Sequence, residues 1–541
     1  MLKAGGDARV NALRRMMMSQ PAGGEQDEGL HPAYPLRPVL WAAILASFVA
    51  FLDGAIVNVA LPAMSDEFGG GLALQQWVVD AYLLTLGALI LLAGSLSDGF
   101  GRVRILRLGL LLFGAASLAC ALASSGAVLV AARAVQGVGG ALLVPSSLAL
   151  IMSAYSGPAQ GRAIGTWTGW TGTSAIAGPL LGGVLVDMFS WRWIFGINVL
   201  PIAATLVLLS RLKDPPPARR RPPVDLAGAV LAAAGLAGTV FGLIEQQRLG
   251  WTHPAVLGCL VLGLACLVAF LWWEGRTPYP MMPLELFRSR NFGIGNIATA
   301  FIYAALSLGM LMVVLFLQQV AGFSATQAGL ATLPVAVLML LFSASFGGLA
   351  GKFGPRVFMA AGPVLLGAGY LLMLAARTPV DFWLQLLPGL VVCGLGLAIT
   401  VAPLTAGILS AVRPEESGIG SAINNAVSRV AGLIAVAFAA VVTGGTLDDG
   451  GFHRVLLVVA LLAVAGGLIS AWGIRNVPAP AGPPVETPGR AAPETIASEH
   501  ASGEERAGGA AQDGREEPAG GESGPSVRGA ARWNGNRRQQ Y

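Results

Sequence analysis

The stretch Phe51-Leu-Asp-Gly-Ala-Ile-Val-Asn-Val-Ala-Leu-Pro-Ala-Met64 decides the fold, because it places a carboxylate inside an otherwise apolar segment. The segment begins near residue 39 and, at 1.5 Å per residue, can cross a hydrocarbon core of roughly 30 Å. Asp53 lies about 20 Å along it. A carboxylate at that depth costs on the order of 2.5–3.5 kcal/mol unless it faces a cavity or a partner. A functional residue is therefore expected here.

Two interpretations of Asp53 remain open at this point. No Lys or Arg lies within two helical turns of it along the chain. The functional interpretation is a site that binds a proton or a cation, which an uncompensated carboxyl in a membrane favours. The structural alternative is a carboxyl kept neutral by a hydrogen bond.

The composition indicates a polytopic membrane protein. The chain is 55% hydrophobic and only 12% charged, against about 25% charged residues in soluble domains, and its mean hydropathy is +0.67. The net charge of +5 does not indicate nucleic-acid binding, because the basic residues lie mostly in loops between apolar spans. The first 36 residues are polar and lack the apolar core of a cleavable signal.

Nothing in the sequence indicates catalysis, a metal or a cofactor. The four cysteines lie in apolar spans without a CxxC pair, and the four histidines lack ligand spacing. No Walker loop and no GxSxG nucleophile motif is present. The protein is therefore expected not to be an enzyme.

Fourteen apolar segments are long enough to be membrane helices. Their predicted limits are 39–62, 76–96, 104–123, 127–153, 162–186, 193–212, 226–245, 255–273, 293–319, 327–349, 357–376, 383–411, 420–445 and 454–474. The loops after the even-numbered spans hold most of the basic residues. In the loop after span 1, the only charged residues are the acids Asp66 and Glu67. Both termini are therefore predicted to be cytoplasmic.

The longest internal linkers flank the seventh and eighth spans and divide the chain into five regions. We predict a disordered cytoplasmic N-terminus (1–37), a six-helix bundle (38–213), a linker with two extra helices (214–290), a second six-helix bundle (291–475) and a disordered cytoplasmic tail (476–541). A weak repeat supports this division, because the segment 94–101 after span 2 resembles 347–354 after span 10. Transporters use two such halves for alternating access.

The loop after span 2 carries the most specific motif of the chain. It contains five residues in fixed spacing: Gly94, Asp98, Gly101, Arg102 and Arg104. The glycines allow a tight turn and close helix approach, and Asp98 can pair with a base or cap a helix of the other half. We predict a cytoplasmic gating latch. A tight turn with positive-inside charges would explain the arginines but would not require Asp98.

Two further motifs lie within the first bundle. Arg133 in span 4 shares one helix face with Gln136, Gly137 and Gly140, and it needs an acceptor at membrane depth. Asp53 is the natural candidate if spans 1 and 4 meet, and the alternative is an arginine that reaches the outer interface. Span 5 contains Gly178, Pro179, Gly182 and Gly183. The glycines predict close packing against a neighbouring helix, and the proline predicts a bend.

Three polar positions are harder to interpret. Asp80 in span 2 is either a second proton or cation site or a hydrated residue near the outer interface. Glu245 is more consistent with a loop end than with coupling. Asn424, Asn425 and Arg429 in span 13 could line a cavity or hold a cytoplasmic gate.

Together these residues resemble the 14-helix drug:proton antiporters of the major facilitator superfamily. The resemblance covers residues 39–475 and rests on five segments: Leu52–Pro62, Gly94–Arg104, Arg133–Gly140, Gly178–Gly183 and Trp191–Asn198. Gly54 departs from the Thr or Ser of many relatives, and Gly351 replaces the aspartate in the second copy of the loop motif.

The resemblance implies an all-α membrane protein with two six-helix bundles, a central cavity and two additional helices. It also implies a monomer that exports lipophilic or cationic small molecules against protons, with Asp53 as the coupling residue and Arg133 tuning its proton affinity. Asp98 and Arg102 would latch the cytoplasmic side. The Ala-, Gly- and Arg-rich composition suggests a bacterial cytoplasmic membrane.

Two other functions stay open. One is an exporter dedicated to a single endogenous metabolite or antibiotic. The other is a membrane sensor or scaffold that does not transport, which predicts an essential tail and a dispensable Asp53.

Overall fold

Long apolar helices dominate the computed structural model, which describes residues 36–155, 157–212, 224–413 and 416–476. The whole of the linker 214–223 lies outside these ranges, as do the predicted disordered termini apart from residues 36, 37 and 476. The membrane helices are α1 (Leu36–Phe68), α2 (Gly71–Phe100), α3 (Arg102–Ala121), α4 (Gly126–Ala154), α5 (Gly157–Gly172 and Ser174–Met188), α6 (Trp193–Ser210), α7 (Leu226–Leu249), α8 (Pro254–Glu274), α9 (Arg290–Gln319), α10 (Ala325–Phe353), α11 (Pro355–Leu372), α12 (Phe382–Leu409), α13 (Ser417–Ala437 and Ala439–Thr443) and α14 (Asp449–Gly473).

Thirteen of the helices in the described ranges are individually long and apolar enough to cross a membrane. The exception is α5, which is interrupted at Thr173. Its chain nevertheless continues through the interruption, because Ala177 N donates to Thr173 O at 2.9 Å. The two parts therefore together form predicted span 5, which brings the number of membrane helices to fourteen. The interruption lies six residues before Pro179, where the sequence predicts a bend.

The observed helices extend beyond the predicted apolar limits. Helix α1 continues through Pro62 to Phe68, and its last turn carries the exposed residues Asp66 and Glu67. An apolar window detects only the part of a helix that lies in hydrocarbon. The polar turn at the interface remains helical, so the prediction that span 1 ends at residue 62 is wrong.

The internal repeat is present in the backbone. One glycine separates α2 from α3, and one separates α10 from α11: Gly101 has φ 102° and Gly354 has φ 85°. A residue with a Cβ is strained at such positive φ values. The same one-residue turn thus occurs at the equivalent place in both halves.

Helix packing repeats as well. In the first half α1 packs against α5 and α6, while α2 and α3 pack against α4. In the second half α9 packs against α13 and α14, while α10 and α11 pack against α12. Adding eight to each helix number of the first half gives the second. The fold is therefore two equivalent six-helix bundles, as the sequence predicts, and their limits at residues 213 and 291 stay predictions.

Two equivalent helix pairs join the bundles. Helix α5 packs against α10, and α13 packs against α2. The additional helices α7 and α8 pack on each other, and α7 also packs on α2 and α13. The two extra helices thus cover one of the two seams between the bundles.

Candidate functional site

Asp53 and Arg133 form an ion pair inside the first bundle. Arg133 Nη1 lies 2.5 Å from Asp53 Oδ2, and the two side chains are 1% and 0% exposed. Helices α1 and α4 pack against each other, as the pairing required. The structure therefore brings together two charged residues whose burial in a membrane would each cost free energy without a partner. Arg133 does not extend to the interface.

Buried amides complete the coordination of the pair. Gln136 Nε2 donates to Asp53 Oδ1 at 2.8 Å, and Asn198 Nδ2 donates to the same oxygen at 3.3 Å. Gln136 Oε1 accepts from Arg133 Nη1 at 2.7 Å, and Ser117 Oγ accepts from Asn198 Nδ2 at 3.0 Å. These donors stabilise the ionised carboxylate.

Helix α2 supplies two further contacts of Arg133. The backbone carbonyl of Val78 accepts from Arg133 Nε at 3.0 Å, and the guanidinium carbon lies 4.3 Å from the centre of the Tyr82 ring. Close approach of α2 and α4 requires Gly137, because a Cβ there would collide with Thr85 Oγ1 and the Tyr82 carbonyl oxygen. The guanidinium is thereby fixed on three sides.

A proton on Asp53 would break this arrangement. The guanidinium keeps its charge at any relevant pH, so it would lose its counter-ion while it stays buried. Removing one partner of a buried ion pair is strongly destabilising.

Asp80 lies on α2 in a different environment. It is 0% exposed, and neither carboxylate oxygen has a hydrogen-bond partner among the described residues. One turn earlier, Gln76 Nε2 donates across the seam to the carbonyls of Val436 and Ala437 at 2.7 and 3.0 Å. Asp80 is therefore buried, which differs from the alternative of a hydrated residue at the interface.

A cavity of about 290 Å³ lies between the two bundles. Five helices line it, with α13 contributing most, through Phe51, Leu83, Tyr303, Ser307, Thr405, Ser421, Asn424, Asn425, Ser428, Arg429 and Gly432. The polar residues of α13 therefore line a cavity, one of the two placements that the sequence left open. Asn424 also donates to Asn296 Oδ1 and Thr299 Oγ1, at 3.1 and 2.9 Å, which fixes α13 on α9.

The small residues of α5 allow close packing on both sides. A Cβ on Gly178 would lie 2.6 Å from Ala55 Cβ of α1, and a Cβ on Gly182 would lie 2.7 Å from Ile56 Cγ1 of the same helix. A Cβ on Gly183 would lie 2.5 Å from Thr326 Cα of α10. The motif thus packs the first bundle internally and also closes its seam with the second.

Asp187 joins the bundles at the end of α5. Its carboxylate accepts hydrogen bonds from Ser324 Oγ at 2.8 Å, Ala325 N at 3.1 Å and Thr326 N at 2.8 Å. These donors form the N-terminus of α10, which attracts negative charge. A contact of the kind predicted for Asp98 therefore occurs at Asp187, at the opposite, predicted extracellular end.

An ion pair lies at the same, predicted extracellular, end of the first bundle. Arg192 Nη1 and Nη2 each donate to the Glu67 carboxylate at 2.6 Å, and Trp191 Nε1 donates to it at 2.7 Å. Hydrogen bonding to this carboxylate raises the pKa of the Arg192 guanidinium. The pair fixes the end of α1 to the start of α6.

The Major Facilitator Superfamily profile matches residues 43–436 and, in a second alignment, 296–510. The chain belongs to the major facilitator superfamily. Its curated relatives include Multidrug resistance protein Stp of Mycobacterium tuberculosis, with 35% identity over 72% of this chain and 72% of the relative. Methylenomycin A resistance protein of Streptomyces coelicolor is 32% identical over 84% of this chain and 94% of the relative. Puromycin resistance protein pur8 of Streptomyces alboniger is 33% identical over 74% and 80%.

These relatives confirm the predicted drug:proton antiporter branch of the superfamily. Solved structures support the fold. An auto-inhibited POT family peptide transporter aligns over 82% of this chain and 99% of its own, with a TM-score of 0.60 and 17% identity. The inward-open xylose transporter XylE of E. coli aligns over 81% and 96%, with a TM-score of 0.57 and 15% identity. The chain is a multi-pass membrane protein.

The structure describes only part of the predicted cytoplasmic latch. Arg102 and Arg104 lie in the first turn of α3, directly after the turn at Gly101, whereas the Asp98 side chain lies outside the described part of the structure. No atom of the described residues lies within 4 Å of a Cβ built on Gly94, so this glycine allows no close approach to any of them. The latch stays a prediction.

Glu245 lies inside α7, about one turn before the helix ends at Leu249. Its carboxylate accepts from Trp77 Nε1 and from Arg248 Nε, each at 3.0 Å. These contacts fix the end of α7 to α2, outside the lining of the central cavity.

Sequence reasoning missed four residues of these sites. Asn198 and Ser117 contact the ion pair or its amides, Gln76 crosses one seam and Asp187 crosses the other. A signal was present for the first three, because each is a polar side chain inside an apolar span. Asp187 carried no such signal, since it lies among exposed residues at a helix end.

Proposed function

We propose that this protein exports amphipathic small molecules across a bacterial cytoplasmic membrane in exchange for protons. The observation that carries the proposal is the fully buried Asp53–Arg133 pair in one half of a two-bundle transporter fold. The resistance proteins among its relatives support an efflux direction. Proton influx contributes about 2.3 kcal/mol per 100 mV of membrane potential, which can drive such export. In this role the protein needs neither a cofactor nor catalytic activity.

Coupling at Asp53 is indirect in this proposal. Phe51 lines the central cavity, whereas Asp53, two residues later on α1, faces the interior of the first bundle with no exposure. Substrate and proton therefore do not compete for the same atoms. Protonation of Asp53 from outside releases Arg133 and shifts α1, which lowers the affinity of the cavity for substrate. Deprotonation towards the cytoplasm restores it.

Asp80 is the second proposed proton site. A charge on this carboxyl would be uncompensated by any described residue, and burial of such a charge costs several kcal/mol. A bound proton removes that cost. Because Asp80 lies one turn from the seam contact of Gln76, loss of its proton favours separation of α2 from α13.

In the proposed orientation both termini lie in the cytoplasm. The hydrogen bonds that join the bundles through Gln76 and Asp187 lie at the predicted extracellular ends of their helices. The cavity includes Thr405 and Ser421, near the predicted cytoplasmic ends of α12 and α13. This arrangement corresponds to a state closed towards the outside.

Proton coupling is tested in proteoliposomes with an imposed pH gradient. We expect substrates to release protons from the wild-type protein, and Asp53→Asn to abolish gradient-driven export when equal amounts of inserted, folded protein are compared. Asp66→Asn is the matched control, because it removes an exposed carboxylate from the same helix. Undiminished export by Asp53→Asn would remove Asp53 from the coupling role.

A transporter dedicated to one compound is the second candidate function. The methylenomycin A and puromycin resistance proteins among its relatives are each named for a single antibiotic. A panel of unrelated compounds separates the two candidates. Export of one chemical class alone would favour the dedicated transporter.

A further inference from the structure

The central cavity carries a single charge. Among the eleven described residues that line it, Arg429 alone has a charged side chain. Its neighbours on α13 are neutral amides and hydroxyls, including Ser421, Asn425 and Ser428. The cavity is thus electropositive, whereas the family resemblance implies a substrate that is often cationic.

Arg429 has no anionic partner among the described residues. No carboxylate of a described side chain lies within ion-pair distance of its guanidinium, which lies 5.6 Å from the centre of the Phe51 ring. Asp53 is already bound to Arg133. An arginine at membrane depth requires a cavity, water or an acceptor. The guanidinium therefore has unused donors at the cavity wall.

Asp80 is too distant to serve as that acceptor in this conformation. A Cβ built on Gly87 of α2 would lie 3.7 Å from Arg429 Cβ. Arg429 of α13 therefore lies opposite Gly87. Asp80 lies seven residues earlier on the same helix, about 10 Å along its axis. The charge of Arg429 is consequently available to a ligand.

Aromatic surface lies beside the charge. Phe51 of α1 and Tyr303 of α9 both line the cavity next to α13. Arginine binds carboxylates and phosphates through paired, charge-assisted hydrogen bonds, and flat apolar groups pack on aromatic rings. A molecule that combines an acidic group with an apolar ring system satisfies both features.

We propose that Arg429 binds the acidic group of the exported compound, so that the substrates are amphipathic anions. This inference rests on the proposed export function and narrows it. A cationic substrate would meet the guanidinium charge without a carboxylate among the described lining residues to offset it. Loss of one strong charge-assisted contact lowers affinity by roughly tenfold or more.

The test uses three probes with one ring system: 1-naphthylacetate, its methyl ester, and (1-naphthylmethyl)trimethylammonium. Binding to purified full-length protein is measured by calorimetry at pH 7, where the acid is ionised. We expect the acid to bind at least about tenfold more tightly than either other probe. Equal affinity for the three probes, tighter binding of the cation, or no measurable affinity for the acid would overturn the proposal. This comparison needs only the wild-type protein.

Variants then assign the preference to one side chain. Arg429→Gln should lose the preference for the acid, and Arg429→Lys should retain part of it, because an ammonium keeps the charge without the planar fork. Arg377→Gln removes an exposed arginine that does not line the cavity, and it should bind the acid as the wild type does. Unchanged preference in Arg429→Gln would overturn the role of Arg429.

Transport of the same probes separates this inference from the proposed function. Proton-driven export of the cation but not of the acid would overturn the anion proposal and leave proton-coupled export intact. Binding of the acid without proton-coupled flux of any compound in a wide panel would support the anion site and refute the export function.

Discussion

Removal of the charge of Asp187 is expected to favour opening of the transporter towards the outside. Asp187 belongs to the first bundle, and its carboxylate caps α10 of the second bundle through three hydrogen bonds from residues 324–326. These contacts exist only while the extracellular ends of the bundles touch. Asp187→Asn therefore destabilises the outward-closed state without a direct effect on the outward-open state.

The size of the effect follows from the geometry. Loss of a helix cap costs about 0.5–2 kcal/mol, and loss of a charge at a helix N-terminus about 0.3–1 kcal/mol. Asparagine retains one acceptor oxygen, and Asp187 is exposed, so solvent screening places the sum near the lower end, at about 1 kcal/mol. That shifts the equilibrium about fivefold. An outward-open fraction of about one tenth would rise to about one third.

Distances between the extracellular ends report this equilibrium. Spin labels introduced as unnatural side chains at Leu122 and Trp383, which are 81% and 72% exposed at the outer ends of the two bundles, give the distribution by double electron–electron resonance. The control is Asp66→Asn, which removes an exposed charge on the same side. A distance distribution identical to that of the wild type, or the same change in the control, would refute the role of Asp187 in holding the extracellular ends of the bundles together.

Two further predictions concern packing and buried charge. Gly183→Ala should also raise the outward-open fraction in the same spin-label measurement, because its Cβ would lie 2.5 Å from the backbone of α10. Gly165→Ala should not, because no described atom lies within 4 Å of its Cβ. Glu274→Gln should raise the unfolding temperature of detergent-purified protein at pH 8. Glu274 Oε1 and Asp225 Oδ2 are buried and accept no hydrogen bond from a described residue. Both oxygens lie next to Gly228, where an amide at position 274 could donate to Asp225 and gain about 1 kcal/mol. An unchanged or lower unfolding temperature would contradict this reading.

The number of membrane helices was predictable from the sequence alone. A bilayer requires every backbone polar group to be satisfied within the span, so a long apolar segment leaves few alternatives to a helix. Helix ends were less predictable, as the continuation of α1 to Phe68 demonstrates. The interface accepts polar residues in a helix, and an apolar window therefore stops too early.

The candidate site was predictable in its members but not in all of its contacts. Asp53 and Arg133 were identifiable because each is costly in a membrane when alone. That they meet depends on the packing of α1 against α4, and the sequence could only name this as a condition. Asn198 joins them from α6, and no spacing along the chain relates residue 198 to residue 53.

The placement of Arg429 shows the same division. The sequence identified a polar face on α13, and either a cavity or a gate would satisfy it. Only the arrangement of the two bundles placed this face next to Phe51 and without a carboxylate partner among the described residues. The sequence by itself determined which side chains require a partner, because burial in an apolar medium has a cost set by the residue type. The tertiary structure alone decided which partner each one has, because that depends on contacts between helices far apart in the chain.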